Sequence, residues 1–235
     1  MGATPFTYRL MQLAARWWLR RLADLRVEGL ENVPRTGPCI ILPNHQSVID
    51  PIVVQSMCRR TVHTMTKSTQ FSSAFFRALL GPARAFPVRR YRVDPQTVRI
   101  VLRLLQRGEC VCLYPEGERS WEGTLQPFRR GAVRVVLRAG VPVIPVGLDG
   151  TYDVWPRWAA RPRVGQVVHL RFGSPLHFRA HRTRADREAA LPEAERVLRD
   201  ALLELSGETV RRRAWEDTEG SRLSGVTRLS PDALQ

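Results

Sequence analysis

From about residue 38 to residue 205, short apolar runs alternate with segments whose apolar residues recur at helical spacing. Pro38-Cys39-Ile40-Ile41-Leu42-Pro43 is a continuous apolar run and predicts a buried strand. Asp50-Pro51 follows with a helix-start signature, aspartate as N-cap and proline in the first helical position. Asp94-Pro95 repeats it, opening a helix with Val98, Val101, Leu102 and Leu105 on one face and a stop near Gly108. Cys110 to Tyr114 predicts a strand, Gly131 to Ala139 a helix ended by Gly140, and Val141 to Val146 another strand. Val164 to Phe172 adds a strand, and residues 183 to 205 a closing helix. Strand and helix in this rhythm predict an α/β fold with a mainly parallel central sheet flanked by helices.

Met1 to Arg26 has a different pattern. Arg9, Gln12, Arg16 and Arg20 fall at steps of three and four and form one polar stripe, with Phe6, Leu10, Leu13, Trp17, Trp18 and Leu22 on the remaining surface. Arginines break every apolar run here, no segment reaches the roughly 18 apolar residues of a membrane-spanning helix, and no signal-type cleavage site follows. Tryptophan and arginine on an amphipathic helix suit the headgroup boundary of a bilayer. A helix docked on the protein's own core satisfies the same pattern. Beyond about Ser206 the chain is polar without periodicity and reads as a loosely ordered tail. The expected division is therefore a helix over 1–26, one domain over 27–205 and a tail over 206–235.

Charge sharpens the picture. The 235 residues include 37 basic and 22 acidic ones, a net charge of +15, and Lys67 is the lone lysine. Such an excess implies an anionic partner, whether nucleic acid, phospholipid headgroups or a phosphorylated small molecule. No zinc-finger, RRM or heptad pattern accompanies it, which argues against nucleic acid. Cys39, Cys58, Cys110 and Cys112 form no CxxC pair; three lie in apolar runs and read as buried free thiols, which suits a reducing cytosol. The histidines show no metal-ligand spacing, so no metal is expected.

Candidate chemistry sits at predicted strand ends. In Asn44-His45-Gln46-Ser47-Val48-Ile49-Asp50-Pro51, a histidine leaves a strand and a carboxylate stands five residues on. Ligands bind in the crevice at the carboxyl ends of such strands. There, Asp50 can fix the tautomer of His45 while the other ring nitrogen takes a proton from an alcohol. Spacing alone also admits a bland alternative, in which Asp50 caps its helix and His45 fills a polar loop. In Tyr114-Pro115-Glu116-Gly117-Glu118-Arg119-Ser120, glycine permits a tight turn and Arg119 with backbone amides can grip a phosphate; a simple surface turn fits too. Phe86-Pro87-Val88-Arg89-Arg90 is a short apolar piece ending in two arginines and says little alone.

Taken together, the blocks NHQSVIDP, FPVRR, YPEGERS and VPVIPVG resemble, in order, the NHxxxxD, FPVxR, FPEGxRS and VPIxPV patterns of the glycerolipid acyltransferases that include the 1-acylglycerol-3-phosphate acyltransferases. Met65-Thr66-Lys67-Ser68 stands where that family carries an MAKxEL-like lysine, and Phe128-Arg129-Arg130-Gly131-Ala132 is similar to its FKKGA; the likeness covers roughly residues 25 to 205. Glu118 departs from the usual threonine, and Arg84 stands where a glycine often precedes the second block. The resemblance implies a catalytic pair of His45 and Asp50, with Glu116, Gly117, Arg119, Arg90 and Lys67 as substrate-binding residues. It implies acyl transfer from a thioester, acyl-CoA or acyl carrier protein, to the hydroxyl of lysophosphatidate, without a bound cofactor. It also implies work at an anionic membrane surface, on the cytoplasmic face, peripherally or monotopically. Other lysophospholipid or glycolipid acceptors fit the same blocks. A lipid carrier without catalysis fits the first helix and the charge, but leaves the His45–Asp50 pair unexplained.

Overall fold

The computed structural model describes residues 5–73, 77, 78, 80–88 and 95–208. In chain order the elements are α1 (Phe6–Leu22), β1 (Ala23–Glu28), β2 (Cys39–Pro43), α2 (Asp50–Met57), β3 (Val62–Lys67), β4 (Ala85–Val88), α3 (Pro95–Gln106), β5 (Cys110–Cys112), α4 (Arg130–Ala139), β6 (Val143–Asp149), α5 (Thr151–Val154), β7 (Gln166–Phe172) and α6 (Arg184–Leu205). The strands form one seven-stranded sheet in the order β1-β7-β6-β2-β5-β3-β4. The pairings are parallel except β6 with β7, so the expected mainly parallel α/β sheet is present.

The apolar runs are continuous because the central strands are buried on both faces. In β2, Cys39 and Ile41 enter the layer under α1 and α2, while Ile40 and Leu42 enter the layer under α3, α4 and α6. β5 divides its residues the same way, with Cys110 and Cys112 on the first face and Val111 on the second. The four cysteines are free and buried on the α1–α2 side.

Three sequence expectations change. The N-terminal helix stops at Leu22, and Ala23–Glu28 is an edge strand paired with β7, so residues 23–26 belong to the sheet. The segment Ala-Asp-Leu-Arg-Val-Glu alternates half-buried and exposed residues, a period of two that a continued helix does not have. β3 was not expected: Val-His-Thr-Met-Thr-Lys lacks a clean apolar run yet pairs with both β5 and β4. Finally, the middle of the polar stripe of α1 docks on α2, while Arg9 and Arg20 at its ends stay exposed. Gln12 Nε2 donates to the Gln55 and Cys58 carbonyls at 2.7 and 2.9 Å, and Arg16 Nε donates to the Ser56 carbonyl at 2.5 Å. Tyr8, Leu19 and Leu22 are buried beside them, while Phe6, Leu10, Leu13 and Trp17 face outward. Asp94, and the polar tail from residue 209 on, lie outside the described residues.

Candidate active site

Parallel strands align their carboxyl ends along one edge of the sheet, and the predicted site residues follow from those ends. β2 delivers His45, β5 delivers Glu116 to Ser120, and β3 ends at Lys67. Lys67 pairs in register with Val88, the last residue of β4; Arg90 lies outside the described residues. Lys67 itself is exposed.

The exit from β2 is fixed by Asn44. Its side-chain amide donates to the Leu148 carbonyl at 2.9 Å and its oxygen accepts from the Leu148 N–H at 2.7 Å, extending the β2–β6 pairing by one side chain. His45 follows at 6 % exposure, its ring packed on Tyr114 with centroids 4.1 Å apart. Its Nδ1 lies 2.8 Å from Asp50 Oδ2. A carboxylate there selects the tautomer with the proton on Nδ1, which leaves Nε2 as the basic nitrogen on the far side of the ring.

Asp50 does more than hold the ring. Its Oδ2 also accepts from the backbone N–H groups of Gln46 and Ser47, each at 2.7 Å, so one oxygen gathers three donors. This corrects the helix-cap expectation: Asp50 is the first helical residue, Ile49 occupies the cap position, and no side chain caps that end. The carboxylate turns back onto the loop instead of forward onto the helix. Hydrogen bonds to a charged group contribute roughly 1.5–3 kcal/mol each, enough to hold a short loop in one conformation.

Glu116 is the second clamp. It is 2 % exposed; Oε1 accepts from the His45 N–H at 2.6 Å and Oε2 from the Gln126 N–H at 2.8 Å. Burial pushes its carboxyl up to about 8, against the pull of those two amides. The resemblance implies a substrate-binding role for Glu116; here its two oxygens accept from backbone N–H groups, one of them that of His45. Ser120 N–H completes the frame by donating to the His45 carbonyl at 2.8 Å. Since the amides of His45, Gln46 and Ser47 are all engaged by carboxylates, an oxyanion formed at this site must take its donors from elsewhere.

Gly117 has φ of +75°, and a Cβ there would meet Arg129 Cγ at 2.9 Å, so glycine is required by both backbone and space. Glu118, the residue that departs from the family pattern, accepts from Arg129 at 3.0 Å and from Arg157 at 3.1 Å. Arg119 is half-buried in the same loop, one residue before the Ser120 amide that holds His45. Sequence reasoning quoted Asn44 and Tyr114 only as parts of motifs and missed Gln126 altogether. Their roles depend on contacts across 104, 69 and 10 residues of chain, the first with Leu148, the second with His45 and the third with Glu116.

Residues 24–149 match the profile of the family described as Acyltransferase. A 1-acyl-sn-glycerol-3-phosphate acyltransferase of Pseudomonas aeruginosa is 30% identical over 218 residues, covering 86% of this chain and 81% of that protein. A chloroplastic 1-acyl-sn-glycerol-3-phosphate acyltransferase of Brassica napus is 31% identical over 135 residues, 55% of this chain; the match spans only 38% of that longer protein. Among solved structures, the 1-acyl-sn-glycerophosphate acyltransferase PlsC from Thermotoga maritima superposes with a TM-score of 0.62 at 23% identity, covering 85% of this chain and 78% of that one. At that identity the likeness is one of fold.

Proposed function

Because the chain belongs to the acyltransferase family, we propose that it transfers a fatty acyl group from a thioester donor, acyl-CoA or acyl carrier protein, to the hydroxyl of lysophosphatidate, giving phosphatidate. The observation that carries this reading is the 2.8 Å contact between His45 Nδ1 and the triply bonded Asp50 carboxylate, beside the Glu116–Ser120 loop that bonds the His45 backbone. Nε2 takes the proton from the acceptor hydroxyl as its oxygen attacks the thioester carbonyl. A C–O bond forms, the C–S bond breaks, and the thiolate takes the proton back from the imidazolium. No protein nucleophile is needed, because the acceptor oxygen itself attacks. Asp50 keeps the ring in one tautomer and stabilises its protonated form.

Arg119, with Arg90 and Lys67, is assigned to the acceptor phosphate, since guanidinium groups bind phosphate through paired hydrogen bonds. The reaction takes place at a membrane surface. Support comes from the outward Phe6, Leu10, Leu13 and Trp17 of α1, which lie one helical turn apart on one stripe, with Arg9, Arg20 and Arg21 exposed around them. Among the described residues no helix is long and apolar enough to cross a membrane. The free buried thiols support the cytoplasmic face.

The test is acyl transfer measured across lysolipid acceptors with both donors. Arg119→Ala should raise the KM for lysophosphatidate about tenfold or more while changing that for a monoacylglycerol, which lacks the phosphate, far less. An equal change for both acceptors contradicts the phosphate assignment.

A further inference from the structure

Beside the site lies an exposed aromatic patch that the mechanism does not use. Trp121 is 58 % exposed and Trp158 is 60 % exposed. They are tied to each other through Tyr152, whose hydroxyl donates to the Trp121 carbonyl at 2.7 Å and accepts from the Trp158 indole N–H at 3.2 Å. The Arg157 guanidinium lies 3.7 Å from the Trp121 ring centroid and is held by Glu118 Oε2 and the Arg119 carbonyl. Arg163 stands 5.9 Å from the Trp158 ring, and Arg161 is exposed in the same loop. Gly123 lets the loop close on this assembly, since a Cβ there would meet the Tyr152 ring at 2.9 Å.

The patch is braced against the catalytic loop. Ser120, immediately before Trp121, donates its N–H to the His45 carbonyl at 2.8 Å. The Gly123 carbonyl accepts from Gln46 Nε2 at 2.7 Å, and Gln46 follows His45. Two large rings held rigidly in solvent, with arginines around them, form a surface for a flat π-system bearing phosphates. Arg157 is shared between the Trp121 ring and Glu118, and Arg129 also meets Glu118.

We propose that Trp121 and Trp158, with Arg157, Arg161 and Arg163, form the docking platform for the adenine nucleotide of a coenzyme A thioester donor. The proposal rests on the acyl-transfer reading and adds to it the identity of the donor and the place where its nucleotide stacks. A thioester carried on a long pantetheine arm needs its nucleotide held to one side of His45, and this patch lies there. A headgroup-anchoring tryptophan turns its indole N–H toward the lipid; that of Trp158 is spent on Tyr152.

Two readouts test the platform. Binding of 3′,5′-ADP, followed by tryptophan fluorescence on the whole protein, requires no turnover and should weaken about tenfold in Trp158→Ala. In turnover, the same variant should raise the KM for acyl-CoA about tenfold more than that for an acyl-N-acetylcysteamine, which carries the thioester without the nucleotide, with kcat for acyl-CoA kept. Both rings are solvent-exposed, so the variant retains its core, and a thermal melt checks it. An inactive wild-type protein would count against acyl transfer, whereas unchanged 3′,5′-ADP binding in Trp158→Ala overturns the platform whether or not the enzyme turns over. Weakened binding to phosphatidylglycerol vesicles with donor KM unchanged also overturns it, and makes the patch a membrane contact.

Discussion

Two buried carboxylates hold His45 in different ways. Asp50 faces the ring and Glu116 faces its backbone, so one sets the imidazole tautomer and the other sets where the imidazole stands. Glu116 has a measurable signature. Its carboxyl is pushed up from the ordinary value of 4.5 to about 8, so the folded chain holds this proton more tightly than the unfolded chain. Stability from this group is complete below about pH 4.5 and is lost as pH rises through about 8. The urea midpoint of the wild-type protein should therefore fall between about pH 4.5 and about pH 8, and Glu116→Gln should flatten that fall. The variant should also lose about 1–3 kcal/mol at low pH, because a carboxamide nitrogen must face one of two N–H donors with no lone pair to offer. A wild-type midpoint that rises across the same window contradicts the assignment. At this scale the sequence was most legible for His45 and Asp50, since five residues of spacing bring them within one turn of chain. Glu116 was legible as a motif member but not in its role, because its partners, His45 and Gln126, come from two other stretches of chain.

At the scale of elements, α1 is the most instructive. Its amphipathic pattern is real, but two residues of the polar stripe, Gln12 and Arg16, dock inward. The reason lies in α2, whose last carbonyls have no partner within that helix. Gln12 and Arg16 supply donors to the Gln55 and Ser56 carbonyls, and a cation there also suits the negative end of the helix dipole. A single-sequence pattern shows which residues are polar and not which unpaired carbonyls await them. The two faces can consequently be separated by mutation. Leu13→Glu with Trp17→Glu should sharply reduce binding to vesicles containing acidic lipids and leave the melting temperature within about a degree or two, as surface substitutions usually do. Gln12→Ala with Arg16→Ala should instead cost about 1–3 kcal/mol of stability by leaving carbonyls unpaired. Vesicle co-sedimentation beside a thermal melt decides it; a Leu13→Glu, Trp17→Glu protein that sediments as wild type contradicts the membrane face. β1 and β3 escaped the sequence reading for related reasons. β1 follows the helix without a break of glycine or proline, and β3 is stabilised mainly by pairing with its two neighbours.

Across the whole molecule, the net charge of +15 is not all directed at ligands. Arg60 bonds the Pro34, Gly37 and Gly108 carbonyls, joining the loops at the amino ends of the strands, and Arg171 bonds the Leu205 carbonyl at the end of α6. Arginine serves here as an internal fastener as well as a surface charge, which composition alone does not reveal. The α/β order was legible because buried parallel strands and capped helices leave strong local marks. The NHQSVIDP and YPEGERS blocks were legible as local motifs, and the parallel pairing of β2 with β5 puts them side by side although 71 residues of chain separate His45 from Glu116. The reversal at β7, which runs antiparallel to β6 and carries the parallel β1 with it, left no such mark. The proposed function comes down to one chemical step, the removal by His45, held by Asp50, of the proton from the lysophosphatidate hydroxyl. Its most direct measurement is phosphatidate formation from vesicle-borne lysophosphatidate and acyl-CoA, by wild type and by His45→Ala with matched thermal melts. The account predicts product from the wild-type protein and a loss of about 10²–10⁴-fold in kcat for the variant; a folded His45→Ala protein that turns over at the wild-type rate would contradict it.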